Sequence, residues 1–329
     1  MPNSSEPHIF SYGSPDAASI SEACKNFTSG RYSPFSFCTT PVEILANDGS
    51  GKVMSHGTGF YWHKDGRDWL ITCWHVVSGR NPFTGELMSS NGLIPKTVNI
   101  KGWKLQSLPG VDIEVKRTGY TYTFPDHAIE ALEKPPEIDG KIVDIFALPL
   151  MPDFAINKDF SEDVGGNWAN IDSRINNIPT DKIATIAGDE CVILGYPLSN
   201  YTGLTLPIWK TGSLSTESKM SLDGSPAFLI DAATSSAMSG SPVLRRSAAI
   251  ATYDKDTQIV SEHRGYQLVG VYAGRLQNKQ LEQIGVGYAW FASLIPQVIE
   301  YCAPFWEGVI KKELEIKLHE KKEQESSVE

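Results

Sequence analysis

Glycine and proline constrain this chain more than any other feature: 28 glycines and 20 prolines among 329 residues cut the apolar sequence into short runs. Those runs are rich in Val, Ile, Tyr and Phe, which suit a pleated, half-buried surface. "PVEILAN", "KVMSHGTGFYWHKDGRDWLITCWHVV", "KIVDIFALPL", "ECVILGYPL", "PAFLIDAAT", "SPVLRR" and "YQLVGVYAG" all read as strands. Asp65-Gly66 lies between two apolar flanks and signals a hairpin, because the tightest hairpin turns need positive φ at their central residues. An all-β chain with long connections follows. After Val286 the period changes: "FASLIPQVIEYCAPFWEGVIKKELEIKL" places Leu294, Val298, Ile299 and Cys302 near one helical face, with Pro296 early enough for a first turn. The last residues, "HEKKEQESSVE", are charged and are expected to be disordered. No internal repeat stands out.

Charge removes several classes of function. With 29 basic and 39 acidic residues the net charge is −10, and no basic stripe offers itself to phosphates, so nucleic acid is not an expected partner. No run is long enough to span a bilayer, and "MPNSSEPHIFSYGSPDAAS" has neither a basic region nor an apolar core of a secretory signal. The expectation is a cytoplasmic protein without membrane contact. The five cysteines, Cys24, Cys38, Cys73, Cys191 and Cys302, are odd in number and contain no C-x-x-C pair, which points to reduced, buried thiols. Neither they nor the pair His56 and His63 make a zinc cage, and no metal or cofactor is expected.

The segment "ATSSAMSGSPVL" raises the chemical question, because Ser239 could be a nucleophile or part of a turn. A serine hydroxyl is weakly nucleophilic at neutral pH. Catalysis through it needs a base within hydrogen-bond reach, a carboxylate to orient the base, and backbone donors for the developing oxyanion. His75 ends "DWLITCWHVVSG", where a buried strand passes into a small-residue loop; taken singly it could equally be a histidine packed between Trp74 and Val76. His8, His127, His263 and His319 sit in polar surroundings. For the carboxylate, Asp144 is embedded in apolar "KIVDIFALPL", whereas Asp112 and Asp126 have more polar neighbours. A buried carboxylate can hold an imidazole tautomer and stabilise the imidazolium. Cys73, two residues before His75, reads as a buried thiol, and Trp62, Trp69, Trp74 and Trp103 as core or cleft aromatics.

Taken in order, these residues resemble one family. "GTGFYWHKDGRDWLITCWHVV" is similar to the histidine region of the chymotrypsin-like serine peptidases, and "VDIFALPL" to their Asp-Ile-Ala-Leu-Leu strand. "ECVILGYPL" looks like the Gly-Tyr-Pro strand that opens the second barrel in bacterial members, and "MSGSPVL" like their Ser-Gly-Ser-Pro-Val segment. The bacterial, glutamyl-endopeptidase-like branch is the nearest in appearance, with Thr234 five residues before the serine as in that branch. The resemblance spans roughly 42–292. It implies two six-stranded antiparallel β-barrels with the site between them, followed by a C-terminal helix. The corresponding division is an N-terminal arm over 1–35, a first barrel over 36–150, an excursion over 151–185, a second barrel over 186–293, and a helix with a charged tail over 294–329.

The resemblance also implies roles. His75 would be general base and then acid, Asp144 its orienter and Ser239 the nucleophile, with the amides of Ala237 and Ser239 as oxyanion donors. Ala233, Thr234, Tyr272 and Gly274 would line the substrate pocket. Departures matter here. Ala237 stands where the family has Gly, and an amide turned away there would cost about 10²- to 10³-fold in rate. Ala233 replaces the Asp that selects Arg or Lys, and Tyr272 replaces the His that helps to select Glu, so a neutral or apolar residue is the expected preference. The expected activity is therefore serine endopeptidase, acting on a polypeptide and restrained by a misformed oxyanion hole, by the arm before Phe35 or by narrow specificity; a regulatory protein partner is a further expectation. The alternatives are a catalytically weak double-barrel module that binds a peptide or protein, and a hydrolase of small esters.

Overall fold

The hairpin signal is met at Asp65-Gly66. Their φ values of 53° and 73° turn β2 (Val53–Lys64) into β3 (Arg67–Thr72), with Lys64 opposite Arg67 and Phe60 opposite Ile71. The structure is a computed structural model and describes residues 33–46, 51–88, 95–108, 111–129, 132–150, 169–170, 174–178, 185–197, 206–217, 220–222, 224–235, 237–254, 259–275 and 286–326. The arm before residue 33 and most of the excursion over 151–185 lie outside these residues.

Strands dominate, as the punctuation predicts. β1 (Thr39–Ala46), β4 (Pro95–Leu108), β5 (Val111–Thr123) and β8 (Phe146–Leu150) join β2 and β3 in one sheet of order β5-β4-β1-β2-β3-β8, and β9 (Ala169–Asn170) pairs with β4. A two-stranded ribbon, β6 (Glu137–Ile138) and β7 (Lys141–Ile142), precedes β8. The remaining strands are β10 (Glu190–Gly195), β11 (Ile208–Leu214), β12 (Ala227–Asp231), β13 (Pro242–Asp254), β14 (Ile259–Arg275) and β15 (Val286–Phe291), which form a closed barrel in the order β10-β11-β12-β15-β14-β13.

One barrel is therefore closed, and the sheet expected to form the other is, among the described residues, a curled half-barrel, which makes the fold all-β and double-barrel-like. The first sheet has seven strands, and among the described residues its outer strands β5 and β8 do not pair with each other. A physical reason lies at β8, where the Trp306 indole N–H of the C-terminal helix donates to the Ala147 carbonyl at 3.0 Å. That helix, Ile295–Ser326, buries Val298, Ile299, Cys302, Trp306 and Val309 against the sheet, with Leu294 just before it. Its helical face is the one the periodicity predicts. The charged end departs from expectation, since the helix continues through Ser326; Glu, Lys and Gln, all good helix formers, fill most of that stretch.

Two apolar clusters hold the fold together. Along β10, Cys191 and Ile193 point into the barrel interior with Phe228, Ile230 and Tyr272. The alternate residues Val192 and Leu194 join a larger cluster shared with the first sheet and the C-terminal helix. A strand buried on both faces reads as a continuous apolar run, which explains "ECVILG". Burying one such side chain contributes about 1.5–3 kcal/mol. Cys38, Cys73, Cys191 and Cys302 are buried thiols in no disulfide, and none of the described helices is long and apolar enough to cross a membrane.

Candidate active site

His75 does not sit on a strand end. β3 stops at Thr72, Cys73 is extended at φ −79°, and Trp74–Ser78 form a short helix closed by Gly79 in the left-handed region at φ 65°. The Gly79 N–H donates to the His75 carbonyl at 3.0 Å. Cys73 therefore does not share a face with His75 as a continued strand would require. Asp144 likewise lies outside regular structure, because "KIVDIFALPL" is not one strand but breaks over 143–145 between β7 and β8. In that break the Asp144 carboxylate reaches His75 twice: Oδ1 accepts the backbone N–H at 2.9 Å and Oδ2 accepts Nδ1–H at 2.6 Å. A carboxylate can only accept, so Nδ1 carries the proton and Nε2 of the neutral ring is left as an acceptor.

Asp144 is fully buried and His75 is partly exposed to the cleft. Burial alone would lower the imidazole pKa, but the charge of Asp144 and its hydrogen bond outweigh burial and raise it above the ordinary 6.5. The other aspartate candidate with a described side chain, Asp126, is exposed and pairs with Lys96.

Ser239 belongs to the barrel half. Gly240, at φ 88°, is required behind it: a Cβ there would fall 2.0 Å from the Thr58 carbonyl and 2.4 Å from Thr72 Oγ1. The sheet grips this loop through Thr58, the residue between the two glycines of "GTG". The Thr58 N–H donates to the Ser239 carbonyl at 2.8 Å, and its hydroxyl donates to the Ala237 carbonyl at 3.0 Å. The Tyr196 N–H in turn donates to Thr58 Oγ1 at 3.1 Å. On the barrel side the Gly240 N–H donates to the Tyr272 carbonyl at 2.7 Å. The backbone around Ser239 is thus held from both walls.

Its side chain points elsewhere. The Ser239 hydroxyl donates to the Ala273 carbonyl at 2.9 Å, and among the described residues no hydrogen bond joins it to His75. A hydroxyl has one hydrogen, so the bond to Ala273 must break before Ser239 can donate to an imidazole. Ala237 adopts φ 70°, a left-handed conformation that costs a residue with a Cβ about 1–2 kcal/mol. Among the described residues, the N–H groups of Ala237 and Ser239 donate to no acceptor.

His75, Ser239, Thr234, Tyr272 and Gly274 all line one cleft of about 830 Å³. The buried Tyr272 and Thr234 hydroxyls bond to each other, burial pushes the Tyr272 phenol up from its ordinary range, and the Arg275 guanidinium lines the same cleft. Gly274 brings bare backbone beside the nucleophile, its missing Cβ falling 3.8 Å from Ser239 Oγ. Ala233 is not part of the lining. It is exposed between Ala232 and Thr234, which are buried, and the neighbours that line the cleft are Thr234 and Ser235. Two lining or anchoring residues, Thr58 and Phe83, carry no expectation from sequence, while Ala273 and Arg275, whose guanidinium bonds the Thr234 carbonyl, come from the strand that also supplies Tyr272 and Gly274. A threonine between two glycines in a strand was the one available signal.

Cys73, His75 and Asp144 place possible ligand atoms within 4.8 Å of one another, but the cluster does not fit a metal ion. Two donors about 2 Å from a tetrahedral ion stand roughly 3.3 Å apart, whereas Nδ1 and Oδ2 are 2.6 Å apart and share a proton. Burial, with the charge of Asp144 behind it, also holds the Cys73 thiol well above its ordinary pKa, and that thiol donates to the Tyr272 carbonyl. No protein-family model matches the chain, and neither does any curated protein.

Proposed function

We propose that the chain is a serine endopeptidase of chymotrypsin-like design, in which the curled first sheet does the work of a first barrel. The observation that carries this reading is the Asp144–His75 pair on one wall of a cleft whose other wall presents Ser239. In the proposed reaction Ser239 Oγ bonds to the scissile carbonyl carbon while its proton passes to Nε2 of His75. The C–N bond then breaks as that proton moves to the leaving amine. Water repeats the sequence on the acyl-enzyme, forming the carboxylic acid and restoring Ser239. Asp144 stabilises the imidazolium, and the amides of Ala237 and Ser239 would receive the oxyanion. The uncharged Thr234–Tyr272 hydroxyl pair suits a neutral residue on the acyl side, with the Arg275 guanidinium already bonded to the Thr234 carbonyl.

The bond from Ser239 to the Ala273 carbonyl favours a second reading, a peptide-binding module or a resting enzyme that another protein activates. Fluorophosphonate labelling distinguishes them. Labelling of the wild type that disappears in Ser239→Ala and in His75→Ala is the expected result, with casein fragments and small esters then separating peptidase from esterase. A folded wild type that never labels would leave the second reading standing.

A further inference from the structure

The loop that follows His75 is built to hold apolar side chains in the open. The Met88 N–H donates to the Gly79 carbonyl at 2.8 Å, the Asn81 N–H to the Glu86 carbonyl at 2.8 Å, and the Gly85 N–H to the Asn81 carbonyl at 2.8 Å. Asn81 Oδ1 accepts from the Phe83 and Thr84 amides at 2.9 and 3.2 Å. Arg80 closes the loop by donating to the Gly85 carbonyl at 3.1 Å. These bonds give the loop a defined shape. Yet Phe83 is 58% exposed and Met88 56%, and both line the cleft that contains His75 and Ser239.

The barrel contributes to the same cleft with Leu222, set by reciprocal backbone bonds with Ser225 at 2.9 and 2.8 Å. Large apolar groups left exposed beside a concave site mark a place that a ligand covers. Methionine adapts to the shape of what it meets, and phenylalanine offers a flat apolar face. Neither residue belongs to the Thr234–Tyr272 pair, so their occupant is a second side chain of the same ligand.

Resting on the peptidase reading, we infer that Phe83 and Met88, with Leu222 of the same cleft, form a subsite for a bulky apolar side chain flanking the scissile bond of a polypeptide substrate. This side chain is distinct from the one beside Thr234 and Tyr272. The subsite selects among substrates by covering apolar surface, a discrimination of about 10- to 200-fold per well-filled contact.

The test compares kcat/KM for paired peptides that differ only by Phe or Ser at each position flanking the cleavage site. At one flanking position the wild type should favour Phe by at least tenfold. That ratio should collapse toward one in the double variant Phe83→Ser, Met88→Ser and return in Phe83→Leu, Met88→Leu. A ratio near one in a wild type that labels with fluorophosphonate overturns this inference and leaves the peptidase reading in place. A large ratio that survives in the serine variant also overturns it, because the preference would arise elsewhere. A wild type that neither labels nor cleaves overturns both.

Discussion

The two walls of the cleft are prepared to different degrees. On the sheet side, Asp144 is buried, bonded twice to His75, and needs no movement to hold the imidazole. On the barrel side the backbone of Ser239 is equally well anchored, through Thr58 and Tyr272, but the hydroxyl is committed to the Ala273 carbonyl. The contrast teaches that positioning a nucleophile and coupling it to a base are separate tasks. Backbone bonds accomplish the first, and the hydrogen bond that the Ser239 hydroxyl makes governs the second.

The strongest way to break the contrast is to spoil the prepared wall. Asp144→Asn removes the negative charge and favours the wrong imidazole tautomer, so the labelling rate of Ser239 should fall by about 10⁴-fold, measured as a second-order rate constant with a fluorophosphonate. A loss below tenfold would mean that His75 is not the base.

Thr58→Val attacks the other wall through its anchor. It removes the bond that the Ala237 carbonyl receives and the one that the Tyr196 amide makes. Each loss at a buried site costs about 1–3 kcal/mol, so denaturant unfolding should show a clear loss of stability. Thr58→Ser keeps the hydroxyl and should recover most of it.

Ala237→Gly is expected to act in the opposite direction. It relieves the left-handed strain at φ 70° and should stabilise the fold by about 1 kcal/mol after the extra chain entropy of glycine is subtracted. An unchanged or lower unfolding midpoint would contradict the strain assigned to this residue.

The smallest effect concerns pH. The folded pKa of His75 lies above 6.5, so the active neutral base is lost as pH falls and the acid limb of the labelling rate should have its midpoint above 6.5. Stability runs the other way. A group whose pKa rises on folding contributes fully below its unfolded value and loses that contribution as pH climbs through the folded one. The thermal midpoint of the wild type, compared with Asp144→Asn across pH 5 to 9, should show the pair's contribution fading upward from about 6.5.

The candidate residues were legible in the sequence to an uneven extent. Asp144 stood out because a carboxylate amid Ile, Val and Phe has no ordinary reason to be there. His75 was found as a position, but its local structure was misread: a strand that stops at Thr72 and a short helix after it look no different, in composition, from a strand running on. Ala233 is placed in the pocket by its position relative to Ser239, but Thr234 and Ser235 line the cleft instead. Phe83 and Met88 lie outside every segment that the sequence singles out, because exposure is not written in residue type.

What the sequence determined by itself was local: β-rich runs between glycines and prolines, a hairpin at Asp65-Gly66, a helical face from Leu294 to Cys302, and three side chains of suitable chemistry. These depend on φ preferences and on the period of apolar residues, which a chain carries wherever it goes. Tertiary structure alone decided that one sheet closes and the other does not, that Asp144 reaches across a strand break to His75, and that the hydroxyl of Ser239 meets the Ala273 carbonyl. Each of those depends on contacts between segments dozens of residues apart, where the outcome is set by packing and by which hydrogen-bond partner lies within reach.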